Sequence, residues 1–443
     1  MGLFLNISGI HQSFSDSTLI CRIHSKTEYF QIHHMDFKTF SLYRPKMEYR
    51  RFGKTNQMVS VITLGGMRFK HGGNEPRAHI PQDTLEQCRD TVEKALAQGI
   101  NLIETAHGYG KSEHAYGRVL NDELKLKRES YFLMTKGNPK TAVETREMVA
   151  NQLKALKTDY FDFYAWHGIN TMDLFEKACA KGGPVEELLK MKAEGIIGHV
   201  GFSTHAPLEV IIKAIETDLF DFVNLHYYYF FQRNKAAIDL AETKDMGVFI
   251  ISPNDKGGQL SNSPQKLIDL TAPLHPIQWN ARFCLSHPAI HTLTFGLPVT
   301  VQFEHINGMF PTSVPLSPED AKIKHELDGQ KLLDEFADFD GHCMINDPSG
   351  LNIPEILRFR TLWKCYDMKD FGLYRYNMFQ EKDHWFPGNF PTEENLKKVD
   401  LSRCPANIPL IDLISETHNE LYRPKINNVG IQFRKLIRKI IET

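Results

Sequence analysis

The chain has 443 residues, 42% of them hydrophobic and 24% charged, with a formal net charge of -2, so it has room for two or three domains and a sizeable core. The balance of charge gives no electrostatic case for nucleic acid or an acidic membrane surface, and no apolar run approaches the roughly 20 residues that span a bilayer. Seven scattered cysteines do not form a disulfide framework, and the start lacks a secretory leader and carries Asn6 where a myristoylation motif wants Ser or Thr; the expectation is a cytoplasmic protein with reduced thiols.

Residues 1–46 are rich in His, Ser and Phe, hold no sustained helical or strand period, and end in YRPK. They are expected to be a poorly ordered extension, either a dispensable tail or translated sequence upstream of a start at Met47. From Met47, MEYRRFGKTNQMVSVITLGG predicts a hairpin leading into a first strand. Strand-like runs then follow at VSVITLG, INLIET, YFLMTK, FDFYAW, GHVGFS, DFVNLH, GVFIIS and AIHTLTFG. They alternate with amphipathic stretches such as QDTLEQCRDTVEKALAQG and TREMVANQLKALKTD. Eight strands alternating with helices predict a closed parallel (β/α)8 TIM barrel over residues 47–310, close to the roughly 250 residues usual for one. An open doubly wound sheet is the alternative, but no GxGxxG follows the first strand. PTSVPLSPED then suggests a linker over 311–330, and residues 331–443 a smaller, mainly helical domain.

Several of the apolar runs stop on a reactive side chain. NLIE ends at Glu104 with Tyr109 five residues on, YFLMTK at Lys136, FDFYAWH at His167 and HVGFS at Ser203. In a barrel of this kind all strand C-termini open on one face, so these groups converge there. A phenol, an amine, an imidazole and a carboxylate around one pocket suit proton transfer coupled to a second step. GYGKS imitates the end of a phosphate loop, but the first glycine of that motif would fall on Thr105, which excludes a nucleoside triphosphate site.

Taken together, LGGMRF, INLIETAHGYGKSE, MTKGNP, YAWHGIN and VGFSTH resemble the aldo/keto reductases over most of residues 47–307. The resemblance implies a catalytic Asp, Tyr, Lys and His, matched here by Glu104, Tyr109, Lys136 and His167, with Glu in place of the family's Asp. A phenol of ordinary pKa near ~10 is too weak an acid to protonate a nascent alkoxide unaided. A neighbouring ammonium lowers that pKa, a carboxylate holds the ammonium, and an imidazole N–H fixes the carbonyl oxygen.

The same resemblance implies a nicotinamide cofactor held by Ser203, Thr204 and His226, with Ile251 where an aromatic usually stacks on the ring unless Tyr227 or Tyr228 reaches across. SPNDKGGQL resembles the pyrophosphate loop, contributing Ser252, Lys256 and Gly257. Gly296 opens the stretch after the eighth strand, where no basic residue stands before Glu304 to read a 2'-phosphate. NADP or NAD thus stays open, NADP being the family's habit. The implied activity is NAD(P)-dependent interconversion of a small-molecule carbonyl and its alcohol, with Tyr109 as proton donor. The alternative is a catalytically weak barrel that senses nicotinamide or binds a partner. Substrate choice would lie in the loops near Lys70–His79 and in the YYYFFQ run, which either walls a pocket or covers the sixth strand.

In the tail, DFDGHCMINDPSGLNIPEIL and DLSRCPANIPLIDL resemble a ferredoxin-like module with its C-x2-C-x2-C-x3-C-P runs. The ligand slots hold Ala337, Asp340, Cys343 and Asp347, then Glu394, Lys397, Asp400 and Cys404. Two thiolates cannot hold a cluster that takes four, so no iron–sulfur cofactor is expected. By the same resemblance Cys343 and Cys404 would face one vacated site; ordinary buried cysteines are the alternative.

Overall fold

The computed structural model describes residues 47–69, 76–254, 259–296, 300–379 and 386–423, together with four strand residues nearer the N-terminus. The chain divides into two compact units, Met1–Pro45 and Lys46–Thr443. In the first, strand β1 (Phe14–Ser15) pairs antiparallel with β2 (Thr18–Leu19). The expectation of a dispensable extension otherwise falls outside the described residues.

The second unit opens with an antiparallel hairpin, β3 (Tyr49–Arg51) and β4 (Met58–Ser60). Eight parallel strands follow: β5 (Ile62–Gly65), β6 (Leu102–Glu104), β7 (Phe132–Gly137), β8 (Phe161–His167), β9 (Ile197–Ser203), β10 (Phe222–Leu225), β11 (Gly247–Ile250) and β12 (Thr292–Phe295). β12 pairs back onto β5 and closes the barrel, as the eight apolar runs predict. The outer layer comprises α1 (Gln82–Ala97), α2 (Ser112–Arg118), α3 (Ala142–Leu156), α4 (Met172–Cys179), α5 (Pro184–Ala193), α6 (Leu208–Glu216), α7 (Lys235–Thr243), α8 (Gln265–Thr271), α9 (Pro276–Leu285) and α10 (Thr300–Gly308). No helix among the described residues is long and apolar enough to cross a membrane.

The period of two along each strand decides which side chains fill the barrel. Leu102, Met134, Phe163, Ala165, Phe222 and Phe249 pack inside it, whereas Ile103, Leu133, Tyr164 and Val223 join the core beneath the helices. Phe52, at the hairpin tip, plugs the N-terminal end, with ring centres 5.4 Å from Phe163 and 5.6 Å from Phe222. A side chain at Gly247 would lie 2.7 Å from the Phe52 ring, so the plug requires glycine there. The same alternation carried two residues further puts Glu104, Lys136 and His167 on the inward face at the opposite end.

Beyond the barrel stand α11 (Pro318–Gly329), α12 (Ile353–Tyr366), α13 (Lys369–Tyr376), α14 (Glu393–Leu396) and α15 (Leu410–Leu421). The stretch expected as a linker therefore contains a helix of 12 residues, capped by Ser317 accepting from Asp320 N, with Pro318 in its first turn. Trp279 of α9 donates its indole N–H to Asp320 O at 3.1 Å, which packs the helix against the barrel. Tyr229 and Phe230 meet Tyr366 of α12 and Trp279, so the middle of the aromatic run joins the barrel to the C-terminal helices. The two tail segments around Asp347 and Asp400 pack together: Asp400 N donates to Asp347 Oδ2 at 3.0 Å and Arg403 to Ile345 O at 2.8 Å. The Cys404 thiol is pushed up by burial and further by Cys343.

Candidate active site

Each of the four groups arrives on its own strand or on the turn after it. Glu104 ends β6, Lys136 stands one residue before the end of β7, and His167 ends β8, in register with Ser203 of β9. Tyr109 sits in the turn between β6 and α2, where its N–H bonds Ala106 O at 3.0 Å and Ser112 N bonds its carbonyl at 3.2 Å. The structure brings all four together. Lys136 Nζ lies 4.8 Å from the centre of the Tyr109 ring, and the His167 ring stands edge-on to that ring at 5.9 Å and 87°.

Beneath the phenol, Lys136 forms a salt bridge with Glu104 and donates to Thr105 O at 3.0 Å. Both partners are buried, at 1% and 2% exposure, so neither charge is served by water. The longer reach of Glu over Asp is accommodated by Gly65, where a Cβ would lie 3.3 Å from Glu104 Oε2 and 2.9 Å from Thr294 Oγ1.

Burial pushes the Lys136 ammonium well below the ordinary range of an amine, and the adjoining carboxylate favours its charged form. Burial also drives the Tyr109 hydroxyl up to about 12, opposed by the Arg68 guanidinium at the barrel mouth. Desolvation thus outweighs the cations around the phenol, the reverse of the acidifying effect that the lysine alone suggests.

Behind Lys136 lies a polar network that the strand pattern does not reveal. Glu113 of α2, a buried carboxylate, accepts from Thr135 Oγ1 at 2.7 Å and from Gln152 Nε2 at 2.6 Å. Gln152 also donates to the Lys136 carbonyl at 3.1 Å and accepts from Tyr164 Oη at 2.8 Å, while His107 N donates to that same carbonyl at 2.8 Å. The backbone that aims Lys136 at Tyr109 is therefore fixed from both sides. If the site works as the family resemblance implies, Gln152→Ala lowers kcat about tenfold or more through misplacement of the lysine, with little change in nucleotide affinity. Steady-state kinetics with a separate nucleotide titration checks this, and a change confined to nucleotide affinity would contradict it.

Ser203 ends β9, its Oγ accepting from Gly168 N at 3.1 Å. Thr204 is turned into the following loop: its hydroxyl donates to Ile169 O at 2.6 Å and accepts from Ala206 N at 2.9 Å. His226 lies just past the end of β10, hydrogen-bonded to His205 at 2.7 Å and facing a cleft beside the barrel mouth. The inward residue of β10 is Asn224, in register with Ser203, fully buried, its Oδ1 without a hydrogen-bond partner among the described residues. An asparagine inside an apolar strand run is the signal that marks it in the sequence. Ile251 packs against the barrel-interior cluster, and Tyr227 stacks on Phe283 of α9. Ser252 adopts a left-handed backbone, φ 52°, as the chain leaves β11. Gly296 lies under Arg68, whose Cγ would be 2.7 Å from a Cβ at that position. Lys256 and Gly257 lie outside the described residues.

A sequence profile described as the aldo/keto reductase family matches residues 61–284, about half of the chain. Among curated proteins, the chain is 29% identical over 164 residues to D-arabinose 1-dehydrogenase of Saccharomyces cerevisiae, covering 34% of this chain and 45% of that protein. It is 29% identical over 149 residues to methylglyoxal reductase DkgA of Escherichia coli (strain K12), covering 33% and 51%. The chain thus spans about half the length of the curated relatives it matches. Among solved structures it is similar to aldo-keto reductase AKR11C1 from Bacillus halodurans in its holo form, with a TM-score of 0.52, 21% identity, and coverage of 63% of this chain and 96% of that one.

Proposed function

The chain belongs to the aldo/keto reductase family, and from that premise we propose that it is an NAD(P)-dependent oxidoreductase interconverting a small-molecule carbonyl and its alcohol in the cytoplasm, with Tyr109 as proton donor. The observation that carries this reading is the placement of the Tyr109 ring over Lys136 with His167 edge-on to it. Relatives named for D-arabinose and for methylglyoxal agree with a small carbonyl substrate.

In this reading His167 donates to the carbonyl oxygen and holds it beside the phenol. Tyr109 gives up its proton as charge grows on that oxygen, and Lys136 stabilises the phenolate left behind. Glu104 keeps the ammonium in place. A nicotinamide, when bound, supplies or accepts the hydride. Ser203 and Asn224 suit its carboxamide, one offering a hydroxyl and the other a buried amide whose oxygen has no partner among the described residues. Ser252, Lys256, Gly257 and Gly296 would hold the phosphates, with the Arg68 side chain against Gly296. In the C-terminal region, the helices of a ferredoxin-like module persist without its cluster.

The test is a fluorescence titration with NADPH and NADH, followed by consumption of the tighter cofactor with a panel of aldehydes and keto compounds. NADPH is expected to bind more tightly, and Asn224→Ala to weaken it about fivefold to fiftyfold, the loss of one or two hydrogen bonds to a buried amide. Tight nucleotide binding without turnover on any carbonyl would select the sensing alternative. Absence of nucleotide binding would remove both readings.

A further inference from the structure

Glu113, in the first turn of α2, is a second buried carboxylate near Lys136, 4% exposed. Its Oε1 accepts from Thr135 Oγ1 at 2.7 Å and from Gln152 Nε2 at 2.6 Å, while its Oε2 faces His107 Nδ1 at 3.8 Å. Glu113 therefore meets both residues that hold the Lys136 carbonyl. Gln152 Nε2 donates to that carbonyl at 3.1 Å and the His107 backbone N–H at 2.8 Å. The His107 carbonyl accepts in turn from Arg77 at 2.6 Å.

A glutamine amide can be seated two ways round, and its two ends do opposite things: the oxygen accepts and the nitrogen donates. At Gln152 the oxygen accepts from Tyr164 Oη at 2.8 Å, while the nitrogen serves Glu113, the Lys136 carbonyl and Thr135 Oγ1, the last at 3.2 Å. Gly137, directly after the lysine, makes room for this arrangement, since a Cβ there would lie 2.5 Å from Tyr164 Oη. The hydroxyls of Tyr164 and Thr135 can donate or accept, so neither sets the direction of the amide. A carboxylate oxygen accepts. Glu113 takes the Thr135 proton, which turns the Thr135 lone pairs towards Gln152, and it draws the amide nitrogen to the side of the Lys136 carbonyl.

Thr135, Gln152 and Tyr164 are all buried, so bulk water does not relieve a misdirected donor among them. Without the carboxylate the Thr135 hydroxyl needs a new acceptor, and a Gln152 amide turned over supplies one. The turned amide then sets its oxygen against the Lys136 carbonyl, two acceptors across the 3.1 Å that a hydrogen bond now spans. The strand backbone that carries the lysine must yield.

We propose that Glu113 is a positioning residue for the reaction: it fixes the direction of the Gln152 amide and, through it, the place of Lys136 under Tyr109. The positioning role rests on the oxidoreductase reading of the site, whereas the seating of Gln152 does not. The test compares four full-length proteins: wild type, Glu113→Leu, Gln152→Ala and the double variant. Glu113→Leu is expected to lower kcat about tenfold or more, with nucleotide affinity and carbonyl KM within about twofold of wild type. On the Gln152→Ala background the same substitution is expected to lower kcat by less than about twofold, because the amide through which it acts is gone. General damage to the barrel would multiply the two losses instead, and that result would overturn the proposal.

Glu113→Gln keeps an accepting oxygen for Thr135 and Gln152 and turns its NH2 towards His107, so its loss of kcat is expected to be only about threefold. Should Glu113→Leu fail to fold, Glu113→Gln runs the same cycle, and its smaller loss should again vanish on the Gln152→Ala background. Urea titrations of the four proteins follow the contact without turnover. The two substitutions are expected to shift the unfolding equilibrium together by about fivefold less than the product of their separate effects. Coupled stability in a protein that turns over no carbonyl would remove the oxidoreductase reading, and the positioning role with it. Uncoupled stability beside normal wild-type turnover would remove the proposal alone.

Discussion

Tyr109→Phe is expected to lower kcat for carbonyl reduction by about a hundredfold to ten-thousandfold, the range of a positioned general acid, while leaving the fold and nucleotide binding as they are. The substitution removes one oxygen and retains the ring, so the edge-on packing with His167 and the Lys136 contact beneath it persist. Burial has already moved the hydroxyl up to about 12, so in the wild-type protein the phenol keeps its proton throughout the neutral range. The sign of the pH dependence follows. Reduction, which uses the protonated phenol, should be nearly flat from about pH 6 to about pH 9 and fall only in strong alkali, while alcohol oxidation, which uses the phenolate, should rise with pH over the same span. A Tyr109→Phe enzyme that still reduces the carbonyl at the wild-type rate would remove the phenol from the mechanism. An unchanged fold in that variant, read from its thermal melt, makes either outcome interpretable.

How much of this was legible in the sequence depended on whether a feature repeats locally. Strand order and the inward position of Glu104, Lys136 and His167 follow from a period of two, which a single strand displays by itself. His226 is named by the family resemblance and not by this period. That residue has the parity of Asn224 but lies beyond Leu225, where β10 ends and the side chain no longer points into the barrel. The helix at 318–329 is foreshadowed by Ser317, Pro318 and the two acids that follow, a capping signal obscured by the prolines before it. Other features have no local signature. Gln152 reaches the Lys136 carbonyl from a neighbouring helix, so that contact exists only after folding. The position of the Tyr109 pKa was also hidden, because residue type shows which cations are near and burial, which outweighs them here, is a property of the packed structure.

The largest effect on stability is expected at the ion pair under the phenol. In Lys136→Met the Glu104 carboxylate, 2% exposed, keeps a contact with Thr294 Oγ1 at 3.5 Å and loses its salt bridge. Breaking a buried pair from one side typically costs about 3–5 kcal/mol, because it strands a charge out of reach of water. The stranded carboxyl answers by taking up a proton, which raises its folded-state pKa above the unfolded value of about 4.3. A folded state that binds more protons than the unfolded one loses stability as pH rises, so the variant should be most impaired near neutrality and recover towards about pH 4. Adding Glu104→Gln removes the charge and should restore most of the lost stability at neutral pH, since replacing both members of a buried pair by neutral groups of similar volume is often close to neutral. Activity should stay lost in the double variant, which separates the catalytic use of Lys136 from its structural one. Urea titrations of the wild type, both single variants and the double variant at pH 7 and at low pH measure the coupling directly. If the double variant is no more stable than Lys136→Met at pH 7, the two side chains do not share a buried salt bridge, and the positioning of the phenol must be sought in other contacts.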